Sequence, residues 1–182
     1  MDKKLSTENK KLLLKIAREA IVSSIENGSI PRLEVPGPDL QENRGCFACI
    51  KIQGKLRGCI GNFKSDKPLY QLVQEMAVSA ATHDPRFYPI KKADLAHVKL
   101  ELSILTPLRK ITSIEEIEVG VHGLYIEKNY SRGVLLPQVA VEYGWDRDTF
   151  LSQTSMKAGM KPDDWKEGAD IYVFSADVFS EE

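Results

Sequence analysis

Arg57-Gly58-Cys59, inside the run Leu56-Arg57-Gly58-Cys59-Ile60-Gly61, sets a permanent cation and a thiol among two glycines and two aliphatic side chains. If these six residues are extended, Leu56, Gly58 and Ile60 share one face and Arg57 and Cys59 the other, because side chains alternate along a strand. Leu56 and Ile60 are then expected in a core, with the guanidinium beside the thiol on the opposite face. A neighbouring cation favours thiolate, the form of cysteine that acts as nucleophile or metal ligand. Gly58 and Gly61 permit a bulge, a bend or the approach of a ligand to the backbone. The competing reading of Cys59 is a small buried hydrophobe.

Other residues could serve the same chemistry. His83, Asp84 and Arg86 lie where a helical pattern ends, since Pro85 disfavours helical geometry at Asp84. Loops at helix ends commonly carry binding groups. Alternatively Asp84 accepts local backbone N–H groups and Arg86 answers its charge. Glu101 falls in the middle of a strand pattern, where a carboxylate is solvated, paired or functional; Arg57 or Arg86 is its expected partner, and a solvent-facing glutamate the alternative. His122 precedes Gly123 at an expected chain reversal. His83, His97 and His122 show none of the clustering of a local metal site. Cys46-Phe47-Ala48-Cys49 has the spacing of redox and zinc motifs, yet a thioredoxin-type pair opens a helix and a structural zinc needs four ligands. Cys46 and Cys49 are therefore read as structural, forming neither a disulfide nor a zinc site.

The elements that position these residues follow from periodicity. Leu13, Ile16, Ala17, Ala20, Ile21 and Ile25 recur at helical spacing, and Gly28 can stop that helix. Pro31, Pro36, Gly37 and Pro38 make residues 30–45 an irregular connection. Residues 46–52 read as a strand that Gln53-Gly54 turns back into 56–61 as a hairpin. Beyond Pro68, the stripe Leu69, Leu72, Val73, Met76, Ala77, Ala80 predicts a helix packed on that hairpin. Residues 98–105 alternate as a strand. In the second half, Ser113 with Glu116 suggests a capping box, 119–127 and 133–136 read as strands, 138–143 and 147–158 as helices with Asp146 as cap, and 170–179 as a last strand.

The 182 residues, 42% hydrophobic and 28% charged, suit one domain or two small lobes. A net charge of −1 argues against a broad nucleic-acid surface. No apolar run approaches a membrane span, and the lysine-rich start lacks the apolar centre of a signal peptide. Three cysteines fit a reducing, cytoplasmic compartment better than a disulfide framework.

Leu56-Arg57-Gly58-Cys59-Ile60-Gly61 resembles the signature hexapeptide of the AMMECR-one family, the Alport-syndrome, midface-hypoplasia and elliptocytosis chromosomal-region proteins. Asp84-Pro85-Arg86-Phe87, Glu101-Leu102-Ser103-Ile104-Leu105, His122-Gly123-Leu124, Leu135-Leu136-Pro137-Gln138-Val139 and Lys157-Ala158-Gly159 resemble further stretches of that family, in the same order. The resemblance covers residues 17–179. It implies a single α+β domain, with a mixed, barrel-like sheet flanked by helices, a larger and a smaller lobe sharing a core, and an internal duplication of strand-and-helix units. It also implies Memo-like and radical-SAM-like pathway partners, whose genes accompany those of prokaryotic relatives, and hence a modification system acting on a small molecule, RNA or protein.

Two classes of function stand beside each other. In an enzyme, Cys59 is nucleophile or covalent attachment point, Arg57 stabilises thiolate or an anion, His122 or His83 is acid/base, and Asp84, Arg86 and Glu101 orient. Arg57 should then lower the Cys59 pKa and make it the most reactive of the three thiols. In a binding or scaffold module, Arg57, Gly58, Gly61, Asp84, Arg86 and Gln138 hold an anionic ligand or a partner's peptide. Phosphate-binding loops, dinucleotide fingerprints and Gly-x-Ser-x-Gly are missing, and the chain names no cofactor. Enzyme and module differ in whether an accessible Cys59 has a basic group near it.

Overall fold

The computed structural model describes residues 4–34 and 37–182 as an α+β fold. It separates into two compact units, the first running to Leu105 and including Asp177–Glu182, the second spanning Thr106–Ala176.

In the first unit, helix α1 (Thr7–Asn27) starts at Ser6, whose side chain accepts the Asn9 N–H, and stops at Gly28 in the left-handed region. The connection over 30–45 carries neither helix nor strand where it is described; Pro36 lies outside the described residues. Strand β1 (Cys46–Ile52) turns through Gln53 and Gly54, both at positive φ as a two-residue hairpin requires, into β2 (Lys55–Asn62). Helix α2 (Leu69–Thr82) follows, then β3 (Val98–Leu105). With β8 (Ala176–Ser180) they form a four-stranded sheet in the order β2-β1-β3-β8. Its inner face, Ala48, Ile50, Leu100, Leu102 and Ile104, is fully buried in one cluster with Leu13, Ile21, Leu69, Leu72 and Val73 of the helices.

The second unit holds β4 (Arg109–Lys110), β5 (Gly123–Lys128), β6 (Ser131–Leu135) and β7 (Asp170–Phe174) in the order β4-β7-β5-β6. Helices α3 (Pro137–Glu142) and α4 (Arg147–Lys157) precede β7, and Asp146 caps α4 by accepting the Thr149 N–H. Its own cluster centres on Leu124, Ile126, Phe150, Leu151 and Val173. Two sequence expectations change here. The strand expected over 119–127 begins only at Gly123, because His122 and Val121 close a turn on the Glu118 carbonyl. The strand expected over 170–179 breaks at Ser175, whose N–H goes to Thr106 Oγ1, and its halves join different sheets.

Candidate functional site

The hairpin determines what faces outward. Near the turn, Ile52 pairs with Lys55 and Lys51 with Leu56; beyond it, Ile50 pairs with Gly58, Cys49 with Cys59 and Ala48 with Ile60. Arg57 is the residue without an opposite number, a β-bulge. A hairpin without it would have set Cys59 against Ala48 on the buried face. The extra residue instead carries Cys59 to the outer face, opposite Cys49. It also overturns the expected burial of Leu56, which lies across from Lys51 and is 40% exposed. Ile60 meets expectation in packing on the core.

Directly opposed on one face, Cys49 and Cys59 are joined by a disulfide, with Cα atoms 4.1 Å apart. The expectation of three unpaired thiols is thus corrected. Cys46, on the inner face, is the free one, fully buried with its pKa pushed up to about 12 by desolvation. The Cys59 N–H and C=O point away from β1, which makes Cys49 and Cys59 a non-hydrogen-bonded pair, the type that brings side chains closest.

Those two backbone groups are taken by the loop after α2. The Asp84 carboxylate accepts the Cys59 N–H at 2.9 Å, and Arg86 Nη2 donates to the Cys59 carbonyl at 3.2 Å. Asp84 also accepts Arg86 Nη2 at 2.7 Å, Arg86 Nε at 3.0 Å and the Arg86 N–H at 3.1 Å. Its side chain is 2% exposed. The Arg86 hydrogen bond first, then that of Cys59, holds the Asp84 carboxyl well below the usual carboxylate range. Asp84 and Arg86 therefore act as a short substitute strand along the free edge of β2.

Arg57 Nη2 donates to the Tyr88 carbonyl at 3.3 Å, and its guanidinium lies 5.8 Å from the Phe87 ring centre, with that of Arg86 at 5.4 Å from the same ring. Glu101 is opposite Cys49 on β3. Its partner is Lys51 Nζ at 2.9 Å, correcting the expectation of Arg57 or Arg86. The register explains it, since Lys51 and Glu101 are diagonal neighbours on adjacent strands. Gly58 is buried on the inner face, where a Cβ would collide with the Ala80 carbonyl of α2, and a Cβ at Gly61 would meet the Phe47 ring.

His83, at the end of α2, has its Nδ1 2.7 Å from Thr82 Oγ1. His122 and Gln138 belong to the second unit: His122 Nδ1 accepts the Glu118 N–H at 3.1 Å, and Gln138 is exposed at the start of α3. Sequence reasoning missed Cys49, Lys51 and the Phe87 ring. The signal available was a glycine-bearing strand across a two-residue turn, which allows a bulge and with it a changed register. Among the described residues no three metal-ligating side chains converge, and no helix is long and apolar enough to cross a membrane.

Comparison with known proteins agrees with the motif pattern. A family model described as AMMECR1 matches residues 14–179. The chain is 42% identical to protein MK0488 of Methanopyrus kandleri over 192 aligned positions, covering all of this chain and 93% of that protein. Against protein MJ0810 of Methanocaldococcus jannaschii it is 45% identical over 149 positions, 77% of this chain and 74% of that one. The crystal structure of the uncharacterized protein PH0010 from Pyrococcus horikoshii superposes with a TM-score of 0.83 at 36% identity, over 98% of this chain and 94% of that one. With a family match over nearly its whole length and relatives this similar, the chain belongs to the AMMECR1 family.

Proposed function

We propose that the outer face of the first unit's sheet is a thiol–disulfide site of a cytoplasmic modification enzyme, in which Cys59 is the nucleophile or covalent attachment point and Cys49 the thiol that resolves it. One observation carries this reading: the two sulfurs are bonded across directly opposed strand positions while both backbone groups of Cys59 are tied to Asp84 and Arg86. A nucleophile fixed in this way keeps its geometry through a reaction cycle. In the dithiol state Cys59 attacks an electrophilic sulfur, and Cys49, already within bonding reach, displaces the product and re-forms the disulfide. The handling of the Cys49 proton is assigned in this reading to Glu101, whose strand position is across from Cys49 and whose carboxylate pairs with Lys51.

The test is to reduce the protein, treat it with a small disulfide and follow adducts by intact mass. Wild type should pass through a transient adduct and return to the internal disulfide, whereas Cys49→Ser should hold a stable adduct on Cys59. A Cys59 that stays as inert as Cys46 after reduction would overturn the enzyme reading. The binding-module alternative draws on Arg86 and Asp84 being committed to fastening β2, and it predicts that Cys59→Ser retains ligand or partner binding.

A further inference from the structure

The charges around the sulfur pair do not cancel. Asp84 and Arg86 neutralise each other, as do Lys51 and Glu101. Arg57 is left over: its partners are the Tyr88 carbonyl and the Phe87 ring, both uncharged, and among the described residues no carboxylate lies within ion-pair distance of it. The bulge makes Arg57 the residue without a cross-strand neighbour. It is half-buried, and the ring it lies against also contacts Arg86, whose Nη2 donates to the Cys59 carbonyl. A half-buried cation without a counter-ion, sharing the Phe87 ring with the arginine that holds the Cys59 carbonyl, is a place for an anion.

We infer that the substrate of this site is an acidic, low-molecular-weight disulfide, its carboxylate or phosphate bound by Arg57 against the Phe87 ring; this rests on the thiol–disulfide reading above. The half-buried Cys49 and Cys59 favour a small molecule that enters between the flanking side chains. The Cys59 thiolate attacks one sulfur of the substrate, the substrate S–S bond breaks, and the first acidic thiolate leaves. Cys49 as thiolate then attacks the Cys59 sulfur, re-forming Cys49–Cys59 and expelling the second acidic thiolate. The protein dithiol gives up two electrons and two protons, and the substrate becomes two thiols.

Three aliphatic disulfides of similar size test this: dithiodipropionate, hydroxyethyl disulfide and cystamine, which are anionic, neutral and cationic. Rates at Cys59 of the reduced full-length protein are normalised to those of free cysteine. The anionic probe should react faster than the neutral one, and the cationic probe slower, by about 3–10-fold at each step at low ionic strength, with the spread closing as salt is added. Arg57→Gln should collapse the spread; Arg57→Lys should keep it. If Cys59 reacts with none of the probes, the thiol reading itself falls. If Cys59 reacts but the normalised rates are equal, that reading stands and the acidic-substrate inference is overturned. Salt dependence in the wild type alone decides the matter if Arg57→Gln does not fold.

Discussion

Burial separates the three cysteines into one sealed thiol, Cys46, and one half-buried disulfide pair, Cys49 and Cys59. Cys46 is sealed in the core with its pKa near 12, so its thiolate fraction at neutral pH is negligible. The reduced native protein should therefore present two titratable thiols and the denatured protein three, a difference that thiol titration with and without denaturant reads directly. Asp84 works at the same scale. Its folded carboxyl ionises below the unfolded reference of about 4, so its contribution is complete above that pH and fades as pH falls through the folded value. Asp84→Asn should lower the urea midpoint at pH 7, and the gap from wild type should narrow below about pH 4. A gap that stays constant into acid would mean the carboxylate charge is not what fastens Cys59.

At the scale of the element, the bulge in β2 sets both the face of Cys59 and the contact with α2. Gly58 is opposite Ile50, under the Ala80 carbonyl. Gly58→Ala should cost about 1–3 kcal/mol by forcing the hairpin and α2 apart, seen as a lower denaturant midpoint with little change in slope. Deleting single residues probes the register more sharply. Loss of Arg57 removes the bulge but keeps Cys49 opposite Cys59, so the disulfide should still form. Loss of Gly58 places Arg57 opposite Ile50 on the buried face, and the chain should fail to fold to the native state. Finding the two deletions equally tolerated by circular dichroism would contradict the register assigned to Arg57.

For the whole molecule, the decisive feature is the return of the C-terminal segment to the first unit. The Glu181 carboxylate accepts the Leu100 N–H at 3.0 Å and the Arg18 Nε at 2.9 Å, Asp177 pairs with Lys10 at 2.7 Å, and Phe179 packs on the core. Glu181→Ala breaks three part-buried charge-assisted hydrogen bonds, from the Leu100 N–H and from Arg18 Nε and Nη2, and should destabilise the fold by roughly 2–4 kcal/mol. For a chain of this size each kcal/mol corresponds to about 2–4 °C in Tm. Both tryptophans, Trp145 and Trp165, lie in the second unit, so their emission reports that unit while far-ultraviolet circular dichroism reports both. A Glu181→Ala melt by circular dichroism that matches wild type would show that the segment adds little.

Features governed by a few neighbouring residues were legible in the sequence. The Asp146 cap, the stop at Gly28, the Ser113–Glu116 box, the Gln53-Gly54 turn and the helix ending before Pro85 all depend on backbone geometry or on side chains reaching backbone within one or two turns. Side-chain alternation was also right in kind, and it correctly set Arg57 and Cys59 in a strand. What it could not supply was the partner of each residue. One unpaired residue shifts the register of everything beyond it, and the energy of that choice lies in Gly58 beneath Ala80 and in Asp84 and Arg86 on the Cys59 backbone, contacts 22–27 residues apart in the chain. The exposure of Leu56, the Cys49–Cys59 bond, the Lys51–Glu101 pair and the division of 170–179 between two sheets are all products of pairing across the fold, which local sequence does not encode and tertiary packing decides.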